Sequence, residues 1–147
     1  MSTESDKQVV RAYFEAFSEN RFDDALAQTS DDFQLLGRGK RVNNHVMDKA
    51  QCRAAFEAMG RVIASRFPLT IHSMTAEDGR VAVQATSKVP MKDGPDYENN
   101  YIFLCTLRDG KIATMEEYAC THTVVTDMNS RRGGPVEQAA ELAATAG

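Results

Sequence analysis

The spacing of apolar positions changes partway along the chain. In the first half it is mostly helical. Val9, Val10, Tyr13, Phe14 and Phe17 share one helix face, which Ser5 or Asp6 can cap and Asn20 can stop. Phe22 to Ala27 reads as a second, short helix, with Asp23 and Asp24 in its first turn, where carboxylates suit the helix dipole. Asp31 and Asp32 precede a short strand, Phe33 to Leu36, and Gly37-Arg-Gly39 follows as a turn or bulge. Lys40 to Met47 is polar and fits no period. Asp48 then serves as the N-cap of a third helix, in which Cys52, Ala55, Phe56, Met59, Val62 and Ile63 run to about Ser65.

Beyond Pro68 the chain reads as strand. The runs are Leu69 to Thr75, Arg80 to Val89, Tyr97 to Leu107, and Ile112 to about Val125. Turn residues separate them, and Asp109-Gly110 is the strongest short hairpin signal. Helices followed by an antiparallel meander of long strands form an α+β pattern. Such a sheet curls, the first and third helices can cover its concave side, and the remaining hollow is a natural pocket. Residues 1–128 form the expected domain. Residues 129–147 form a tail: an Arg131 to Pro135 linker and an alanine-rich helical stretch.

Composition narrows the function classes. The chain has 147 residues, 42% apolar and 26% charged, which suits one globular domain. A net charge of −4 argues against a nucleic-acid partner. No apolar run reaches the length of a membrane span, and MSTESDKQ has no signal-peptide character. The three cysteines, without a C-x-x-C spacing, favour reduced thiols in a cytoplasmic protein.

Candidate chemistry sits in the last two strand runs. Tyr97, Asn99, Tyr101 and Phe103 share a strand face, as do Met115, Glu117 and Ala119. Only one of Glu116 and Glu117 can face the pocket, and alternation alone leaves the choice open. His45 lies in a loop before a helix, where a group titrating near neutrality can serve as a proton shuttle. His72 is mid-strand and reads as structural. Cys120-x-His122 lacks any sign of the orienting group that a nucleophile–base pair needs. The three histidines have no metal-ligand spacing, and no glycine-rich phosphate loop is present, so no metal or cofactor is expected. The aromatic residues of the first helix read mainly as core, with Tyr13 and Met59 expected to reach the pocket. Seven methionines suit an adaptable apolar cavity.

Several stretches resemble the SnoaL-like and limonene-epoxide-hydrolase-like branch of the NTF2 superfamily, which also includes ketosteroid-isomerase-like proteins. They are Val10-Arg-Ala-Tyr-Phe-Glu-Ala-Phe17, Asp31-Asp32, Asn99-x-Tyr101, Arg108-Asp-Gly-Lys-Ile112 and Glu116-Glu117-Tyr118. The resemblance runs from about Asp6 to Thr121. It implies an NTF2-like cone, with about three N-terminal helices on a strongly curved antiparallel or mixed sheet. It also implies a homodimer. In the polyketide cyclases and epoxide hydrolases of this group, the residue before the last strand's aromatic is a cavity acid. That position is Glu117 here, and the same correspondence turns Asn99, Tyr101, Met115 and Ala119 inward. Val42-Asn43-Asn44-His45 falls where the epoxide hydrolases place substrate-contacting residues. Their Arg-x-Asp pair is replaced by Gln84-x-Thr86, which is neutral at both places.

The leading expectation is a cofactor-independent acid/base enzyme acting on a small apolar, aromatic or polyketide-like molecule. Isomerisation, cyclisation, dehydration and retro-aldol-type cleavage all need the same parts. Glu117 would be base or acid, with His45 as its partner. Tyr101, Asn99 and Gln84 would hold developing negative charge. Asn44, Tyr13, Met115 and Met59 complete the expected substrate-binding set. Epoxide hydrolysis and a non-catalytic binding or dimerisation module are the alternatives.

Overall fold

The computed structural model describes residues 2–129. The C-terminal tail assigned from sequence lies almost wholly outside them. The first helix, α1, spans Thr3–Ser18 and is capped by the Ser2 side chain, which accepts from the Ser5 amide. Asn20 ends it, as its position suggests. Asn20 has φ 60, and the amides of Asn20 and Arg21 donate to the Phe17 and Ala16 carbonyls. This is a Schellman closure, with asparagine at the left-handed position. Helix α2 covers Phe22–Leu26.

Helix α3, Lys49–Val62, begins with a complete capping box. The Gln51 amide donates to Asp48 Oδ1 at 2.9 Å, and Gln51 Oε1 accepts from the Asp48 amide at 2.8 Å. Asp48→Ala removes half of this exchange. The expected cost is about 1 kcal/mol, read as a lower urea midpoint at unchanged m-value.

Six strands make one sheet in the order β2-β1-β6-β5-β4-β3. They are β1 (Thr29–Arg38), β2 (Asn44–Asp48), β3 (Leu69–Glu77), β4 (Arg80–Val89), β5 (Tyr97–Arg108) and β6 (Lys111–Ala119). Only β1 and β6 run parallel, so the sheet is mixed. The β5–β6 hairpin turns at Asp109 and Gly110, with φ 52 and 76, the two positive values a tight primed turn requires. The helices pack on the sheet's inner face. A main core cluster gathers α1 and α3 residues with inward residues of β1, β4, β5 and β6, and a second holds Met59, Ile63, Phe67, Val89, Met91 and Tyr97. Phe17 packs against both.

The architecture is the expected α+β cone, with local differences. Ser2 rather than Ser5 or Asp6 caps α1. Strand β1 runs from Thr29 through Gly37, where the sequence suggests a turn, to Arg38. The polar segment before Asp48 contains a strand, β2, that pairs antiparallel with β1. Its five residues show little pattern alone, and cross-strand partners supply what the segment lacks. The final strand ends at Ala119 rather than near Val125. The Asn99 side chain accepts from the Cys120 amide (3.1 Å) and donates to the Cys120 carbonyl (3.3 Å). Both backbone groups are thereby taken from the ladder. The chain continues instead as a helical turn, Thr121–Thr123, and a π-helical turn, Val124–Asn129. Cys120 and His122 therefore do not share a strand face.

Candidate active site

A cavity of about 120 Å³ lies between the helices and the sheet. A cavity of about 150 Å³ holds benzene, so this one suits a single small ring. Tyr13, Phe14 and Phe17 line it from α1, with Ala55, Phe56 and Met59 from α3. Tyr97, Tyr101 and Phe103 of β5 and Met115 and Glu117 of β6 face them. Asn43, His45 and Met47 close one side, and Val124 and Met128 of the π-helical turn contribute to the wall. Among the described residues, Glu117 is the only acid in the lining, and no lysine or arginine joins it.

Strand register sets these orientations. Glu117 pairs with Phe103 of β5 and Gly37 of β1, and Gly37 pairs with His45 of β2. Residues opposite one another in a sheet share a face. His45, the bare Gly37, Glu117 and Phe103 thus form one inward row. Glu116, one residue earlier, points outward to Arg38, with Nε 3.3 Å from its carboxyl.

Burial raises the pKa of Glu117 by disfavouring the carboxylate. Asn43 Nδ2 donates to Glu117 Oε1 at 3.2 Å and pulls the other way. Asn43→Ala is therefore expected to move the Glu117 titration upward, as measured by ¹³C NMR of the side-chain carboxyl. An unmoved titration would mean that this hydrogen bond does not act on the charged form. Burial lowers the pKa of His45, so the ring is neutral at pH 7.

The phenols form a protonated wall. Tyr97 is pushed up to about 12, mainly by burial. Burial holds Tyr101 and Tyr13 well above the usual phenol range, and the nearby Glu117 charge adds to both. Tyr101 Oη shares a 2.9 Å hydrogen bond with Ser87 Oγ. Asn99 Nδ2 donates to Tyr97 Oη at 2.7 Å. Tyr13 Oη makes no hydrogen bond among the described residues.

The structure thus gathers Glu117, His45, Tyr101, Tyr13, Met115 and Met59 around one cavity. Asn99 faces inward but stands behind Tyr97, occupied with Cys120. Gln84 and Asn44 point the other way. Gln84 is exposed on the outer face of β4, where it accepts from Ser73 Oγ. The inward positions of β4 are Val81, Val83, Ala85, Ser87 and Val89. Asn44 is exposed because β2 begins with an outward residue. Its neighbour Asn43 turns inward, with φ 53. Sequence reasoning missed Asn43 as a site residue. The usable signal was asparagine's tolerance of the left-handed region. It also passed over Tyr97 as a site residue, although Tyr97 shares a strand face with Asn99 and Tyr101. Among the described residues, no group of three or more His, Cys, Asp or Glu is arranged to hold a metal ion.

Helices over a mixed sheet, closed around an acid-bearing aromatic hollow, define the class of pocketed NTF2-type domains. The pattern of the SnoaL-like domain family matches residues 10–115, and the chain belongs to that family. No curated protein matches the sequence. Among solved structures, PrhC from Penicillium brasilianum superposes with a TM-score of 0.80 at 15% identity, over 94% of this chain and 93% of that one. An NTF2-like protein from Burkholderia xenovorans gives 0.67 at 20%, over 85% and 96%. An LEH-like epoxide hydrolase from M. tuberculosis gives 0.68 at 14%, over 99% and 98%. At these identities the likeness is one of fold.

Proposed function

We propose that the protein is a cofactor-independent acid/base enzyme that moves a proton on a small, largely apolar or aromatic molecule. One observation carries this reading. Among the described residues, the only acid in the cavity lining is a desolvated carboxyl with a raised pKa, in the same sheet row as an imidazole whose pKa burial lowers. A carboxyl tuned towards neutrality can take a proton from an acidic C–H or return one. His45, when neutral, can accept or donate at its two ring nitrogens. Tyr13 and Tyr97, held as protonated phenols, suit the role of donors to a developing oxyanion. Tyr101 lines the cavity beside them, and Asn99 supports Tyr97 from behind.

The cavity volume favours a substrate about one ring in size. Larger ligands require lining side chains to move, and the flexible thioethers of Met59 and Met128 are among those that line the cavity. Epoxide hydrolysis is less well supported, because no inward position of β4 offers a second carboxylate. A homodimer through the outer sheet face belongs to the same reading. Val46, Ile102 and Tyr118 are 53%, 45% and 46% exposed there. Free cysteines fit a cytoplasmic location, and no helix among the described residues is long and apolar enough to cross a membrane.

Deuterium exchange separates the readings. Ring-sized enolisable ketones and phenols, incubated with the protein in D₂O, are expected to exchange their acidic C–H faster than in buffer. Tight binding without exchange across the panel supports the binding module. Oxygen-18 from labelled water in a diol product supports hydrolysis.

A further inference from the structure

Gly37 is the point at which β1 changes character. The strand's other inward residues before it, Phe33 and Leu35, are large and buried, 1% and 6% exposed. Gly37 is buried on the same face, between His45 on one neighbouring strand and Glu117 on the other. Strands lie about 4.8 Å apart, so the His45 and Glu117 Cα atoms stand about 10 Å apart across it.

A backbone requirement does not account for this glycine. Its φ lies outside the left-handed region, which Gly79, Gly94 and Gly110 do occupy. Any L-residue can adopt its conformation. The constraint is space. A Cβ on Gly37 would lie 2.5 Å from His45 Cε1, 2.7 Å from His45 Nδ1 and 2.4 Å from the Asn43 carbonyl oxygen. That carbonyl also accepts from the Gly39 amide at 3.1 Å, so it cannot retreat without opening the turn. Neither ring nitrogen of His45 hydrogen-bonds within the described residues. Packing against the bare strand therefore holds the imidazole in place.

We propose that Gly37 is the positioning residue of this site: its missing side chain is the gap into which the His45 ring and the Asn43 turn fold beside Glu117. The proposal rests on the acid–base reading for its functional meaning. A methyl group at this position pushes the imidazole towards solvent and lifts Asn43 from the carboxyl. It also fills space between the two titrating groups that a substrate atom would need.

The test is a double-mutant cycle with an NMR readout. Gly37→Ala is compared in the wild type and in a His45→Ala background, with Gly60→Ala as control, because a Cβ there meets nothing closer than 4.0 Å. Gly37→Ala is expected to lower the melting temperature by roughly 5–10 °C in the wild type and by measurably less once the ring is gone, the remainder being the approach to the Asn43 carbonyl that both backgrounds keep. In the folded Gly37→Ala protein the His45 titration is expected to move up towards that of a solvated imidazole. Gly60→Ala leaves it in place. If Gly37→Ala does not fold, recovery of a folded Gly37→Ala/His45→Ala protein supports the proposal. Equal costs in both backgrounds, an unmoved His45 titration, or an unfolded double variant overturns it and makes Gly37 a requirement of the turn alone. The cycle needs no substrate. A Glu117→Gln protein with unchanged turnover would sink the acid–base reading and leave the role of Gly37 in placing the ring as the cycle finds it.

Discussion

Glu117→Gln is expected to reduce turnover about 10²–10⁴-fold and, at the same time, to make the protein more stable at neutral pH. Glutamine keeps the shape and can still accept the hydrogen bond from Asn43. What it loses is the exchangeable proton, so a loss confined to kcat is the signature of an acid/base role. The stability gain follows from burial. The folded-state pKa of Glu117 is raised above 4.5, so the native state holds this proton more tightly than the unfolded chain. The group's contribution to stability is therefore complete below the unfolded value. It is lost progressively as pH rises through the folded value. Glutamine has no such slope. Urea unfolding across a pH series is expected to show the two proteins' stabilities diverging as pH rises above the unfolded value and converging in acid. Parallel curves would mean that the carboxyl is not desolvated.

Phe17→Ala is expected to cost about 3–5 kcal/mol, a large share of the 5–15 kcal/mol typical of a domain. Its ring lies 5.0 Å from Phe56, 5.4 Å from Phe67, 5.9 Å from Phe22 and 6.3 Å from Tyr13. These partners come from α1, α2, α3 and the connection into β3, and Phe17 packs against both core clusters. Truncation thus loosens the seam between the helices and opens the cavity wall at once. Calorimetry is expected to show a melting temperature lower by about 10 °C or more. Ligands larger than one ring should gain affinity relative to smaller ones. A drop of only a degree or two would show that neighbouring rings collapse into the space.

Much of the helical half was legible along the chain. Apolar spacing marked α1 and α3, and Asp48 and Asn20 marked a beginning and an end, because caps act on backbone groups within a turn of themselves. The long strands β4 and β5 and the Asp109-Gly110 hairpin were equally local. The failures were non-local. Strand β2 is five residues whose period emerges only beside β1. The end of β6 depends on Asn99, twenty-one residues earlier, reaching back to Cys120. Gln84 is a different case: the family correspondence points it inward, while local alternation with the buried Val83 and Ala85 turns it outward.

The sequence by itself determined an α+β chain with a carboxylate among strand tyrosines, because periodicity, capping and turn chemistry are short-range properties. The resemblance added the choice of Glu117 over Glu116. Only the tertiary structure brought Asn43 onto that carboxyl and laid His45 across Gly37. The first contact joins segments more than seventy residues apart, and pairing register across three strands fixes both. A glycine whose purpose is space leaves no trace in periodicity or turn signals, since its effect is on neighbours that only folding supplies.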